Sequence, residues 1–84
     1  MSKVIVKYRG RLASLAGIAE ETFEADDVGK LLKLLGKRHG REAEKAARAM
    51  LITVNGGNIL LQKHFKTLLA EGDTVGFFTI CAGG

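Results

Sequence analysis

The chain has 84 residues, enough for one small domain with a single core. Its 46% hydrophobic and 26% charged residues are the composition of an ordinary globular domain, with no internal repeat or low-complexity stretch. A lone Cys excludes an internal disulfide, and a net charge of +4 allows an RNA or acidic-protein partner without requiring one.

Lys3 to Tyr8 alternates, with Val4, Val6 and Tyr8 on one side and Lys3, Ile5 and Lys7 on the other, as in a strand with one core face. Arg9 to Gly17 is a polar, small-residue connection in which Leu12, Leu15 and Ile18 make a short turn of helix under the sheet. Ala19 to Ala25 reads as a second strand anchored by Phe23, antiparallel to the first because the two are close in sequence. Asp26 and Asp27 open the main helix, where an N-terminal carboxylate accepts a backbone N–H. Val28, Leu31, Leu32 and Leu35 then fall on one apolar stripe. Lys37, Arg38 and His39 load the last turn with positive charge, and Gly40 stops the helix. Arg41 to Ala49 is expected to form a second, weaker and more exposed helix, with Glu44 and Arg48 one turn apart.

Met50 to Asn55 is a third strand, followed by the turn signal Asn55-Gly56-Gly57-Asn58. Ile59 to Leu61 is expected to be a short returning strand. Lys63 to Glu71 carries Phe65, Leu68 and Leu69 and ends in the turn Glu71-Gly72-Asp73. The β-branched and aromatic run Thr74 to Ile80 is the last strand. Two strands, a helix and more strands predict an α+β fold, a mixed sheet with one main helix packed on one face.

In the last strand Val75 and Phe77 are assigned to the core; Gly76, Phe78 and Ile80 share the opposite face. An exposed cluster of Phe78 and Ile80, joined by Ile5, would mark a partner site. The alternative is that both Phe side chains are core. Residues 1–80 are thus expected to form the domain and 81–84 a flexible Gly-Gly tail. Bare glycines gain nothing from packing and cost the most backbone entropy to order, so Cys81-Ala82-Gly83-Gly84 suits an arm that carries its carboxylate into another protein. The ordinary alternative is a frayed end.

The Leu51-Ile52-Thr53-Val54-Asn55-Gly56 strand and turn, the Gly72-Asp73 turn, and Phe77-Phe78 ahead of Ala82-Gly83-Gly84 together resemble the small sulfur carriers. These are ubiquitin-like β-grasp proteins, among them the small subunit of molybdopterin synthase and the thiamine-pathway carrier. The sequence departs from the molybdopterin pattern in having Thr79-Ile80-Cys81 where members often carry proline, and in the insert Arg41 to Ala49.

The resemblance implies that an ATP-dependent, ubiquitin-activating-type adenylating enzyme activates the Gly84 carboxylate. Sulfur from a donor protein then displaces AMP and leaves a thiocarboxylate, used with the large subunit of molybdopterin synthase to convert precursor Z to molybdopterin. The carrier binds no cofactor itself and is not an enzyme on its own; ATP belongs to its partner. Gly84 and Gly83 are the reacting end. Phe78, Ile80, Cys81 and Ala82 would touch the partner, with Lys63 and Lys66 as a positive rim around the tail. Four free residues reach about 13 Å when extended. With Gly84 last, no proteolytic maturation is expected.

Other readings carry less. Cys81 lacks a neighbouring base and is read as a small tail residue. His39 and His64 are far apart without ligand-spaced neighbours, so no metal site is expected. Lys37, Arg38 and Arg41 form a solvated face or meet an acidic groove on the activating enzyme. With no leader or membrane-spanning run, the expected setting is the cytoplasm, without nucleic acid or membrane as partner. Thiamine thiazole synthesis, tRNA thiolation and protein conjugation use the same carboxyl activation and stay open. So does a basic β-grasp module for RNA or protein with an inert tail.

Overall fold

The computed structural model describes residues 2–79. The elements run β1 (Lys3–Lys7), α1 (Gly10–Ala16), β2 (Glu20–Glu24), α2 (Val28–His39), α3 (Arg41–Arg48), β3 (Leu51–Val54), β4 (Gly57–Asn58) and β5 (Thr74–Phe78). Two single 3₁₀ turns, Ile59–Leu61 and His64–Lys66, lie between β4 and β5. The strands form one mixed sheet in the order β2-β1-β5-β3-β4, the arrangement of a ubiquitin-like β-grasp. Only β1 and β5 are parallel; the other neighbours are antiparallel.

The alternation of β1 sends Val4, Val6 and Tyr8 into the core, where they meet Val75 and Phe77 of the adjoining β5. The α2 stripe covers that face: Val28, Leu31, Leu32 and Leu35 are fully buried. Asp27 caps α2, its Oδ1 accepting from Lys30 N at 2.7 Å. Asp27→Ala is expected to cost about 1 kcal/mol, read as a lower urea midpoint with an unchanged slope.

Two local expectations are corrected, at Ile59 to Leu61 and at Ile18. Ile59 to Leu61 is a 3₁₀ turn, and the returning strand is only Gly57–Asn58. The Asn58 side chain accepts from Leu60 N at 2.9 Å, which turns the backbone out of the ladder. The helix α3 is more exposed than α2, as expected, but its Ala43 and Ala47 are buried in the core. It packs closely on α2 at Gly36, where an added Cβ would stand 2.1 Å from Glu44 Oε1 and 3.0 Å from Glu44 Cβ, so a larger residue there would displace the Glu44 side chain. Ile18 lies beyond α1 and is 44% exposed rather than tucked under the sheet, since Gly17, at φ 73°, ends the helix first. Leu68 contributes little to the core, being 73% exposed beside buried Leu69.

Sequence motifs far apart in the chain meet in space. Asn55, in the tight turn between β3 and β4, donates from Nδ2 to Asp73 Oδ1 at 2.9 Å. Its Oδ1 accepts from Thr74 N at 2.9 Å. Asp73 Oδ2 in turn accepts from Ala70 N at 2.8 Å. The Asn-Gly and Gly-Asp turns are therefore one hydrogen-bonded unit that fixes where β5 begins.

Candidate functional site at the end of the last strand

The geometry of β5 sets the site. Val75 and Phe77 are fully buried, which anchors the strand against the body. Phe78, on the opposite face, is half-buried at the last position of the strand and pairs across the sheet with Leu51. Its ring lies back along β5. An added Cβ at Gly76 would stand 3.0 Å from Phe78 Cε2 and 2.9 Å from Thr53 Oγ1, so glycine there makes room for the ring. Thr79 then passes the start of α1, where a Cβ on Gly10 would be 3.1 Å from Thr79 Oγ1.

Arg9 is the functional candidate that periodicity did not indicate. Its guanidinium carbon lies 4.7 Å from the centroid of the Phe78 ring, a cation–π arrangement. The parallel register explains the placement: Val6 lies opposite Val75 and Lys7 opposite Gly76, and two further steps bring Arg9 level with Phe78. Nothing local in the sequence reveals a pairing between the first strand and the last. The strand end thus presents an aromatic ring and a positive charge together where the chain leaves the sheet.

Lys63 and Lys66 sit elsewhere. Both are exposed, but their segment is tied to the start of α2: Thr67 O accepts from Val28 N at 3.1 Å, and Leu69 N donates to Asp26 O at 2.9 Å. The C-terminal end of α2 is the end near Phe77, since His39 packs on Tyr8 and Tyr8 on Phe77. The twelve residues of α2 span about 18 Å between these ends. Arg9 is thus the basic side chain set against Phe78, while the rim expected of these two lysines around the tail concerns residues outside the described ones. Ile80, Cys81, Ala82, Gly83 and Gly84 lie outside the described residues.

A polar cluster braces the strand end from beneath. Tyr8 OH donates to Glu21 Oε2 at 2.6 Å, and His39 Nε2 contacts the same oxygen. Arg38 Nη1 donates to Glu21 Oε1 at 3.0 Å and to Thr22 O at 3.2 Å, with its guanidinium 4.1 Å from the Phe23 ring centroid. His39 and Arg38, expected to serve the helix end and a solvated face, instead join α2 to β1 and β2. Burial pushes the Glu21 carboxyl up, but donation by Tyr8, His39 and Arg38 outweighs it and holds the group below the usual carboxylate range. Burial, then the bond to Glu21 and its charge, raise the Tyr8 phenol.

A depressed folded-state pKa means that Glu21 contributes stability above its ordinary value. That contribution is lost as pH falls through the lower folded-state value. The raised phenol acts oppositely, contributing below the ordinary tyrosine value and losing that contribution as pH rises past it. Stability should thus fall on acidification below about pH 4.5, and Glu21→Gln should flatten that fall. Urea titrations at a series of pH values would show it.

Among the described residues, no group of three His, Cys, Asp or Glu could hold a metal ion, and no helix is long and apolar enough to cross a membrane. His64 stacks on Phe65 at a centroid distance of 3.9 Å.

The family model described as ThiS family matches residues 6–84, nearly the whole chain and through both terminal glycines. The chain belongs to the ThiS family. It is a small ubiquitin-like sulfur carrier by that membership. A Pyrococcus furiosus protein assigned as molybdopterin converting factor subunit 1 is 31% identical, with TM-score 0.78; the alignment covers 96% of this chain and all of that one. The small archaeal modifier protein 1 of Methanosarcina acetivorans is 25% identical with TM-score 0.86, over 100% of this chain and 98% of that one. The Amycolatopsis orientalis BexX/CysO complex shares the fold, at 18% identity and TM-score 0.83, over 96% of this chain and 99% of the matched chain. A search of curated protein sequences gives no match.

Proposed function

We propose that this ThiS-family chain carries sulfur as a thiocarboxylate on Gly84 and delivers it in molybdopterin biosynthesis, in the cytoplasm, as the non-catalytic partner of a large synthase subunit. The observation that supports the sulfur-transfer chemistry is the family match running to Gly84. The 31% identity to the Pyrococcus furiosus converting-factor subunit supports the molybdopterin branch.

A carboxylate is a poor electrophile, so activation must come first. An adenylating enzyme joins the Gly84 carboxylate to the α-phosphate of ATP and releases pyrophosphate. Hydrosulfide from a donor then bonds to the acyl carbon while AMP leaves, giving the thiocarboxylate; from a persulfide donor the product is an acyl disulfide, whose S–S bond a thiol reductant must cleave. This chain contributes no acid or base to those steps. Its part is to bind through Phe78 and Arg9 and to present a chain end without Cβ atoms to a narrow channel. Ile80, Cys81 and Ala82 would lie in that channel. The Arg9 charge, next to the strand exit, complements the acidic rim that an enzyme handling a basic carrier would present.

The test is intact-mass spectrometry after incubation with ATP, a sulfur donor and the cognate activating enzyme. The expected product is heavier by the exchange of one oxygen for one sulfur. An unchanged mass with a competent enzyme would refute the carrier chemistry. A second reading, protein conjugation, is favoured by the 0.86 TM-score over the full chain to the archaeal modifier. It predicts that trypsin digestion leaves the segment Thr67 to Gly84, which holds no Lys or Arg, joined through Gly84 to lysines of cellular proteins, a remnant that a dedicated molybdopterin carrier would not leave.

A further inference from the structure

The most exposed apolar side chains of the described residues are three leucines. Leu60 is 64% exposed, Leu61 86% and Leu68 73%, all within the connection between β4 and β5. From Ile59 to Ala70 this connection holds Lys63, His64 and Lys66 and not one acidic residue. Two grooves flank it. Gln62, Lys63, Thr67 and Leu68 line one; Leu60, His64 and Phe65 line the other together with Met50 and Arg48. Its backbone is held in an unusual shape, with His64 at φ 53°, a left-handed conformation rarely adopted by a residue with a side chain. Bonds from Lys63 N to Thr67 Oγ1 and from Thr67 N to His64 O maintain that shape.

We infer that this connection is a second docking surface, one that binds an acidic amphipathic helix of a partner protein. Three leucines held out into water on a small domain cost solvation and contribute nothing to the core, which is the signature of an interaction site. The charge identifies the occupant. Lys63, His64 and Lys66, on a segment with no acidic residue of its own, call for glutamate or aspartate on the partner, placed beside its apolar stripe. A second copy of this chain is the poorer match, because a two-fold interface would set Lys63 and Lys66 of one copy against the same lysines of the other. The two grooves favour a ridged helix over a lipid surface, since concave ground receives side chains. One of the two grooves also takes in Leu51, the residue paired with Phe78, so this surface reaches toward the strand end, but its existence does not depend on the tail chemistry.

The test is a titration of the ¹⁵N-labelled full chain with a synthetic eighteen-residue helical peptide of leucine and glutamate, followed by amide shifts. Shifts confined to residues 48–52 and 59–68, with binding weakened about fivefold or more by Leu61→Ser or Leu68→Ser, are expected. Lys63→Glu with Lys66→Glu should weaken it further, and a leucine–lysine peptide should not bind. All these positions are exposed, and an unchanged amide spectrum elsewhere would show that the variants fold. Three outcomes would overturn the inference: shifts centred on Phe78 or spread over the chain; binding of phosphatidylserine vesicles but not of the peptide; or a concentration-dependent dimer abolished by Leu61→Ser.

Discussion

Deletion of Gly83 and Gly84 is expected to abolish sulfur transfer completely while leaving thermal stability unchanged. The body of the domain is held by β1, β5 and α2, with Val75 and Phe77 buried. The proposed chemistry, by contrast, takes place on the Gly84 carboxyl carbon. Gly83→Val should separate the two roles of the tail. It keeps a terminal carboxylate but adds a branched side chain that a narrow channel must reject. Intact mass after incubation with the activating enzyme should show no thiocarboxylate for the deletion and a loss of at least about tenfold in rate for Gly83→Val. A variant that melts normally and still acquires sulfur without the terminal glycines would end the carrier reading. One that loses both properties would instead show that the tail belongs to the core.

The second large effect concerns Phe77. It is the largest of the fully buried side chains, opposite Ile52 of β3 and one residue past the registered β1–β5 pairs, with its ring 5.9 Å from that of Tyr8. Phe77→Ala should cost about 3–5 kcal/mol. Small domains are stable by only about 5–15 kcal/mol, so a large share of the total would be lost. Phe78→Ala, one residue on but only half-buried, should cost far less and instead weaken binding to the activating enzyme. Urea denaturation of both variants, with the enzyme-binding assay on the second, checks the contrast. Equal destabilisation by the two would place both rings in the core and remove Phe78 from the docking surface.

Much of this was legible in the sequence. The α2 stripe shows itself because leucines at helical spacing have no other economical home, and all four predicted positions are buried. The alternation of β5 likewise separates Val75 and Phe77 from Phe78. What escaped was whatever depends on contacts between distant segments. Ala43 and Ala47 look like surface helix because alanine carries little hydrophobic signal; only the notch at Gly36 shows that α3 is seated in the core. Arg9 gains its role from a parallel pairing across some seventy residues, which no local pattern encodes. Lys63 and Lys66 looked close to the tail in sequence, yet their segment folds back to the start of α2. For the 3₁₀ turn at Ile59–Leu61, three aliphatic residues mimic a strand, and the deciding group is the Asn58 amide just before them.

The bond from Arg38 to the Thr22 carbonyl has a consequence for how this molecule behaves in crowded solution. β2 is an outermost strand of the sheet, and the pairs Tyr8–Ala19 and Ser2–Ala25 turn its odd-numbered residues toward β1. The peptide groups of Thr22 therefore face outward, open to another chain's backbone. Arg38 occupies the middle acceptor of that margin and holds a charge over it, like a bolt across an open seam. Protein stacking along this side must first draw the bolt, which keeps a concentrated pool of carriers from adding to one another.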